Sequence, residues 1–228
     1  MPFITYFIHR PKPSKPNAPP LILFDYDGVI ADSYEVYFHE FTRACTAHGF
    51  DNLNSREAFL RLFDGNLIAQ LIKAGFPLRK LKKLADDFRP QIEMANSRIA
   101  PFPGMVEILR TLSAWHPLII ITANSSHVVQ RFLDTYALHD IKGVLGSDIE
   151  TSKVKKIRMA RRQFRDHRAY YIGDTKGDMI EARRAGAIPV AAGWGWHSRE
   201  RLESAYPDHI ITEQDELLSL FAFASKPQ

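Results

Sequence analysis

Leu21-Ile-Leu-Phe-Asp25-Tyr-Asp27-Gly28-Val-Ile-Ala-Asp32-Ser33 follows directly on the pair Pro19-Pro20. Four apolar residues that stop at an acid have the pattern of a buried strand in an α/β sheet, one that delivers its last side chain to a cleft. Side chains two apart on an extended segment share a face. Asp25 and Asp27 therefore stand together at the strand's carboxyl end, and Gly28 lets the backbone turn away behind them. Two carboxylates this close repel one another, and such pairs persist where a cation or a shared proton offsets the repulsion. Asp32, with Glu35 three residues later, has the spacing of a helix N-cap in a capping box.

The run Asp25-x-Asp27-Gly28-x-x-x-Asp32-Ser33 behind an apolar strand resembles the first motif of the haloacid dehalogenase superfamily, in the form its Mg²⁺-dependent phosphatases carry. The rest of the chain is consistent with an α/β protein. Its 228 residues suffice for one large core, or for one core and a small accessory domain, and the second is expected. With 45% hydrophobic and 25% charged residues the composition is that of a globular domain, neither disordered nor membrane-spanning. The single cysteine, Cys45, forms no internal disulfide, which suits a reducing compartment and makes the cytoplasm the expected location. A formal charge of +4 attracts anions, but nucleic-acid binders concentrate more charge than this, and a small phosphorylated substrate satisfies it equally. Composition says nothing of the oligomeric state.

Residues 1–20 read as an extended, proline-rich leader, a spacer or an arm. The apolar run Phe3 to Ile8 is too short to span a membrane, and Arg10, Lys12 and Lys15 follow it where a signal peptide carries its charge first. Beyond Ser33 apolar residues recur at helical spacing: Val36, Phe38, Phe41 and Ala44, then Phe59 to Phe63, then Leu67 to Ile72, with a last helix over Leu78 to Met94. Residues 34–100 thus form a helical insert, closed by the turn Pro101-Phe-Pro103-Gly104. A helical insert after the first strand resembles the cap that many members of this superfamily place over the site, where it excludes water and selects the leaving group. Asp64-Gly65-Asn66 is a turn within it.

From residue 101 strands and helices alternate, so that 21–33 and 101–228 compose a doubly wound parallel sheet. The apolar strand Pro117 to Ile121 ends in Thr122-Ala-Asn-Ser-Ser, a hydroxyl beside the amides that open a helix, suited to phosphate oxygens. Its place corresponds to the superfamily's second motif, and the resemblance puts phosphate binding on Thr122, with Ala123 and Asn124 contributing through the backbone at most. Further on, the superfamily needs one lysine, and Lys153, Lys155 and Lys156 are on offer. With Ser152 as cap, the stripe Val154, Ile157, Ala160 and Phe164 faces inward, Lys153 falls within its arc, Lys155 points outward and Lys156 lies roughly perpendicular. Lys153 is the choice and Lys156 the alternative, because a proline that often follows this lysine is absent.

The strand before Gly173-Asp174-Thr-Lys-Gly-Asp178 again ends in an acid, and this segment resembles the superfamily's acidic fourth motif. Asp178 also has the spacing of an N-cap with Glu181, in a helix that Gly186 ends. The tryptophans of the loop Gly193-Trp-Gly-Trp-His197 read as packing. The resemblance, nearest to the phosphoglycolate-phosphatase-like branch, covers the chain after Pro20. It implies that Asp25 is the nucleophile, Asp27 the acid and base, and Thr122 and Lys153 the phosphate's neighbours. It also implies Mg²⁺ at Asp25, the Asp27 carbonyl and Asp174, with Asp178 beside them. A phosphomutase is the nearest rival; a phosphatase-like binding protein, or one acting on nucleic-acid ends through Arg158, Arg161, Arg162, Arg165 and Arg168, stands further off.

Overall fold

A computed structural model of the chain describes residues 18–222. Most of the expected leader, 1–17, lies outside the described residues; Pro20 is already the first residue of strand β1, Pro20–Phe24. Leu21 to Phe24 are wholly buried, because the strand is sandwiched on both faces. Ile22 and Phe24 point into one hydrophobic cluster, Leu21 and Leu23 into another, as the two-residue period of a strand requires.

After β1 the chain makes the helices α1 (Tyr34–Ala47), α2 (Arg56–Arg61), α3 (Leu67–Lys73) and α4 (Leu81–Ala95), with 3₁₀ turns at Leu62–Asp64 and Leu78–Lys80. It returns through α5 (Met105–Ser113) to β2 (Leu118–Ile121), then α6 (Ser126–Thr135), β3 (Gly143–Leu145), α7 (Lys153–Gln163) and β4 (Arg168–Gly173). There follow α8 (Lys176–Ala185), β5 (Ile188–Ala192), α9 (Arg199–Glu203), β6 (His209–Ile211) and α10 (Glu216–Leu220). All six strands pair in parallel in the order β3-β2-β1-β4-β5-β6. The chain winds outward from β1 on one side, then returns to lie beside β1 again as β4. That reversal opens a crevice beyond the carboxyl ends of β1 and β4, where open α/β sheets hold their ligands.

The two connections to the four-helix segment run side by side. Ala31 and Pro101 form an antiparallel bridge, Asp32 N–H donates to the Ala100 carbonyl at 2.9 Å, and Phe102 N–H donates to the Ile30 carbonyl at 2.9 Å. One hydrophobic cluster continues from the sheet through these connections to Phe41, Phe59 and Leu84 of the helices.

Several local expectations are corrected. Ser33, not Asp32, is the residue before α1, and its side chain makes no cap bond; Asp32 is exposed and Glu35 pairs instead with Arg56 at 2.6 Å. The buried stripe of α1 is Tyr37, Phe41 and Cys45, with Val36, Phe38 and Ala44 half-buried and packed beside it. On α8 the N-cap is Thr175, and Asp178 is the third helical residue, closing a capping box with it; Gly186 ends the helix in the left-handed region at φ 79°.

Candidate active site

Three strand ends and two helix starts deliver the site. Asp25 follows β1, Thr122 follows β2, Asp174 follows β4, and Lys153 and Asp178 sit in the first turns of α7 and α8. Lys153 Nζ donates to Asp25 Oδ2 at 2.6 Å and to Asp178 Oδ1. Asp25 also accepts from the Tyr26 amide at 2.8 Å. Asp178 is held from its other side by the Thr175 amide at 3.1 Å and hydroxyl at 2.6 Å. Asp174 Oδ2 accepts from the Trp196 amide at 2.8 Å. Gly28 explains its own identity here: it has φ 75°, and a Cβ on it would lie 2.0 Å from Asp174 Oδ2.

Oxygen atoms of Asp25, Asp174 and Asp178 lie within 4.8 Å of one another, all three residues buried. Burial pushes Asp174 well up from the usual carboxylate range, and the charges of Asp178 and Asp25 add to this. Burial likewise raises Asp25 to about 6 against the pull of Lys153. Asp178 goes the other way: burial raises it, but the charge and hydrogen bond of Lys153 and the bonds from Thr175 together leave it lowered. Lys153, for its part, stays charged, because Asp178 and Asp25 outweigh its burial. Three buried carboxyls with a single ammonium between them are short of positive charge, and an all-oxygen set of this kind fits a hard divalent cation.

Asp27 is kept apart from that cluster. Its Oδ2 accepts from the Asn124 side-chain Nδ2 at 2.9 Å and from the Tyr37 hydroxyl at 3.1 Å, and no lysine touches it. Burial, with the Asp25 charge behind it, raises Asp27 to about 7. A carboxyl poised there can give and take a proton near neutrality. Asn124 and Tyr37 were not legible as its holders: Asn124 reaches it across 97 residues of sequence, and Tyr37 belongs to α1 of the insert. The Asn124 side chain is thus engaged, contrary to the expectation of a backbone role.

Thr122 is wholly buried; its hydroxyl oxygen accepts from the Asn124 amide at 2.9 Å, and Ala123 beside it lines the cleft. Both candidate lysines come inward. Lys153 reaches the acids, while Lys156, 1% exposed, donates to the Thr122 carbonyl. Burial, and then the like charge of Lys153, lowers Lys156 to about 8. The perpendicular placement expected for Lys156 is wrong because its long apolar stem joins the stripe of Val154 and Ile157.

The cleft is a cavity of about 160 Å³ over these groups, closed on the far side by Tyr37, Phe63, Asn66 and Leu67 of the insert and by Trp196. Trp196 is more than loop packing: its ring meets Phe63 at 4.9 Å and Tyr37 at 5.5 Å between centroids. His197 does not face the cavity; its Nδ1 accepts from the Lys176 amide and its Nε2–H donates to the Leu60 carbonyl, both at 3.0 Å, and so it ties α8 to α2. Asp64 turns away to Arg201, at 2.7 Å.

The family model described as haloacid dehalogenase-like hydrolase matches residues 22–192. The phosphoglycolate phosphatase of Synechococcus elongatus is 26% identical over 202 residues, covering 86% of this chain and 94% of that protein. A 5'-nucleotidase of Pseudomonas aeruginosa is 24% identical, covering 85% and 91%. A solved haloacid dehalogenase-like hydrolase from Streptococcus pneumoniae superposes with a TM-score of 0.75 at 25% identity, covering 89% of this chain and 98% of that one.

Proposed function

The chain belongs to the haloacid dehalogenase-like hydrolases, and we propose that it is a phosphatase of their phosphoglycolate-phosphatase-like branch. From that premise we propose that it hydrolyses a small phosphoric monoester with Mg²⁺ as cofactor, through a phosphorylated Asp25. The observation that carries this reading is the separation of the two motif acids. Asp25 lies in the Lys153 and carboxylate cluster, whereas Asp27 lies outside it, held by Tyr37 and Asn124 and raised to about 7.

Asp25 attacks phosphorus while the ester oxygen departs, and Asp27 gives that oxygen its proton. Water then attacks the phosphorus of the acyl phosphate, Asp27 takes the water's proton, and Asp25 leaves as a carboxylate. Lys153 and Thr122 hold the phosphoryl oxygens as charge moves onto them, with Ala123 lining the cleft beside them. Asp25, Asp174 and the Asp27 carbonyl would hold Mg²⁺, with Asp178 alongside, and the ion supplies the positive charge that this group of acids and a phosphate lack. Residues 34–100 act as a cap that excludes water.

No helix among the described residues is long and apolar enough to cross a membrane. The cytoplasm is the location we propose, in keeping with a lone, buried Cys45. The arginine-rich face of α7 supports a small ester over nucleic-acid ends, since Arg158 and Arg161 are engaged with the carbonyls of Arg184 and Ala185 at the end of α8. The test is turnover of simple phosphate monoesters with excess chelator and with restored Mg²⁺, together with intact mass after acid quench. The reading expects activity only with the metal and a trapped adduct on Asp25; full turnover in chelator would overturn the metal's part in it.

A further inference from the structure

The wall that faces the ester's alcohol has its own chemistry, distinct from the phosphate end. Tyr37, Phe63, Leu67 and Trp196 form it, with Asn66 at its edge. None of these is charged. The cations that line the cavity are Lys153 and Lys156, engaged with Asp25 and Asp178 and with the Thr122 carbonyl. Arg201, further out beside the insert, is held in a two-pronged pair with Asp64 at 2.7 and 2.9 Å and also faces Glu57. Five carboxyl groups line the cavity, Glu181 included, against those two lysines. Even with a divalent cation in place, the lining has no positive surplus left once the phosphate has entered.

A second anion on the substrate would therefore lie against aromatic rings and a leucine, beside carboxyls, with no cation to pair it. Burying a charge unpaired is among the costliest contacts available to a site. The rings and the leucine of that wall suit a neutral carbon body.

We propose that the leaving group is an uncharged alcohol with a compact apolar body, selected by the wall of Tyr37, Phe63, Leu67 and Trp196, and that esters whose alcohol carries a carboxylate are poor substrates. This rests on the phosphatase reading above, and it sets the chain apart from what the names of several relatives say of those proteins.

The experiment compares kcat/KM for phosphoglycolate with that for 2-hydroxyethyl phosphate and n-propyl phosphate, which differ from it mainly in charge, alongside p-nitrophenyl phosphate. We expect both neutral alkyl esters to exceed phosphoglycolate by at least about tenfold, and Leu67→Arg to narrow or reverse that ratio. Phosphoglycolate equal to or better than both neutral esters would overturn the proposal while leaving the phosphatase reading intact. If none of the four esters turns over, the phosphatase reading fails and the proposal falls with it. The wild-type comparison decides the matter even where the arginine variant does not fold.

Discussion

Asp25 and Asp27 are the same residue type two positions apart, and their surroundings make them different groups. Asp25 faces Lys153, whereas Asp27 faces two neutral donors. Asp25→Asn should therefore abolish turnover of every ester, with no adduct by mass. Asp27→Asn keeps the nucleophile, so p-nitrophenyl phosphate should still phosphorylate Asp25, while alkyl esters lose about 10²–10⁴ in rate for want of a general acid. A burst with Asp25→Asn, or equal losses for both esters with Asp27→Asn, would reverse the assignment. Tyr37→Phe removes one of the two donors to Asp27 Oδ2 and leaves Asn124 in place. Steady-state assays should show kcat on alkyl esters falling roughly tenfold, with little change on the nitrophenyl ester, which needs less help from the acid. Asp25 was legible because it ends an apolar run, and Asp27 because it stands two residues further on. Tyr37 was not, because a tyrosine one turn into an amphipathic helix carries no local sign of the carboxyl it meets.

The helix α8 joins local stability to the site. Its capping box gives Asp178 a fixed orientation, so that Thr175 is at once a helix cap and the anchor of a candidate metal ligand. Thr175→Ala should cost about 1 kcal/mol in chemical denaturation, and it should weaken Mg²⁺ binding by calorimetry about tenfold or more. Thr175→Ser should restore most of both; a loss of stability with unchanged metal affinity would separate the two roles. At this scale the sequence was readable where period and punctuation agree. The strand that ends at Ile121 and the helix stop at Gly186 stand where the residues indicate. It was less readable where a side chain serves two faces. Lys156 was misplaced because the charge at its tip hides an apolar stem, and Asp178 was misplaced as an N-cap because acids favour both the cap and the third helical position.

Across the whole molecule, the buried acids connect pH, metal and stability. In the metal-free protein Asp25 is raised to about 6 and Asp27 to about 7, above the unfolded value near 3.8. The folded state thus binds more protons than the unfolded chain over that interval. Stability from these groups is complete below the unfolded value and is lost as pH rises through 6 to 7. A divalent cation replaces the protons, so its stabilising effect grows with pH. Thermal melts should show a small rise in Tm on adding Mg²⁺ at about pH 5 and a larger one at about pH 8; equal rises at both would show that these carboxyls do not hold the ion. The paired connections at Ala31 and Pro101 bear on how such a molecule opens. Two chain crossings stapled together by backbone hydrogen bonds leave the insert few ways to move other than to swing about a single pivot. Displacement in a swing scales with distance from its axis. The Tyr37 amide bonds to the Ser33 carbonyl at 3.0 Å, one turn from that pivot, whereas Phe63 and Gly65 rest against Gly177 on α8. In such a swing the phenylalanine rim would move through a wider arc than the tyrosine, so that the doorway would clear for an ester while Asp27 and Tyr37 stayed nearly at rest beside the hinge post.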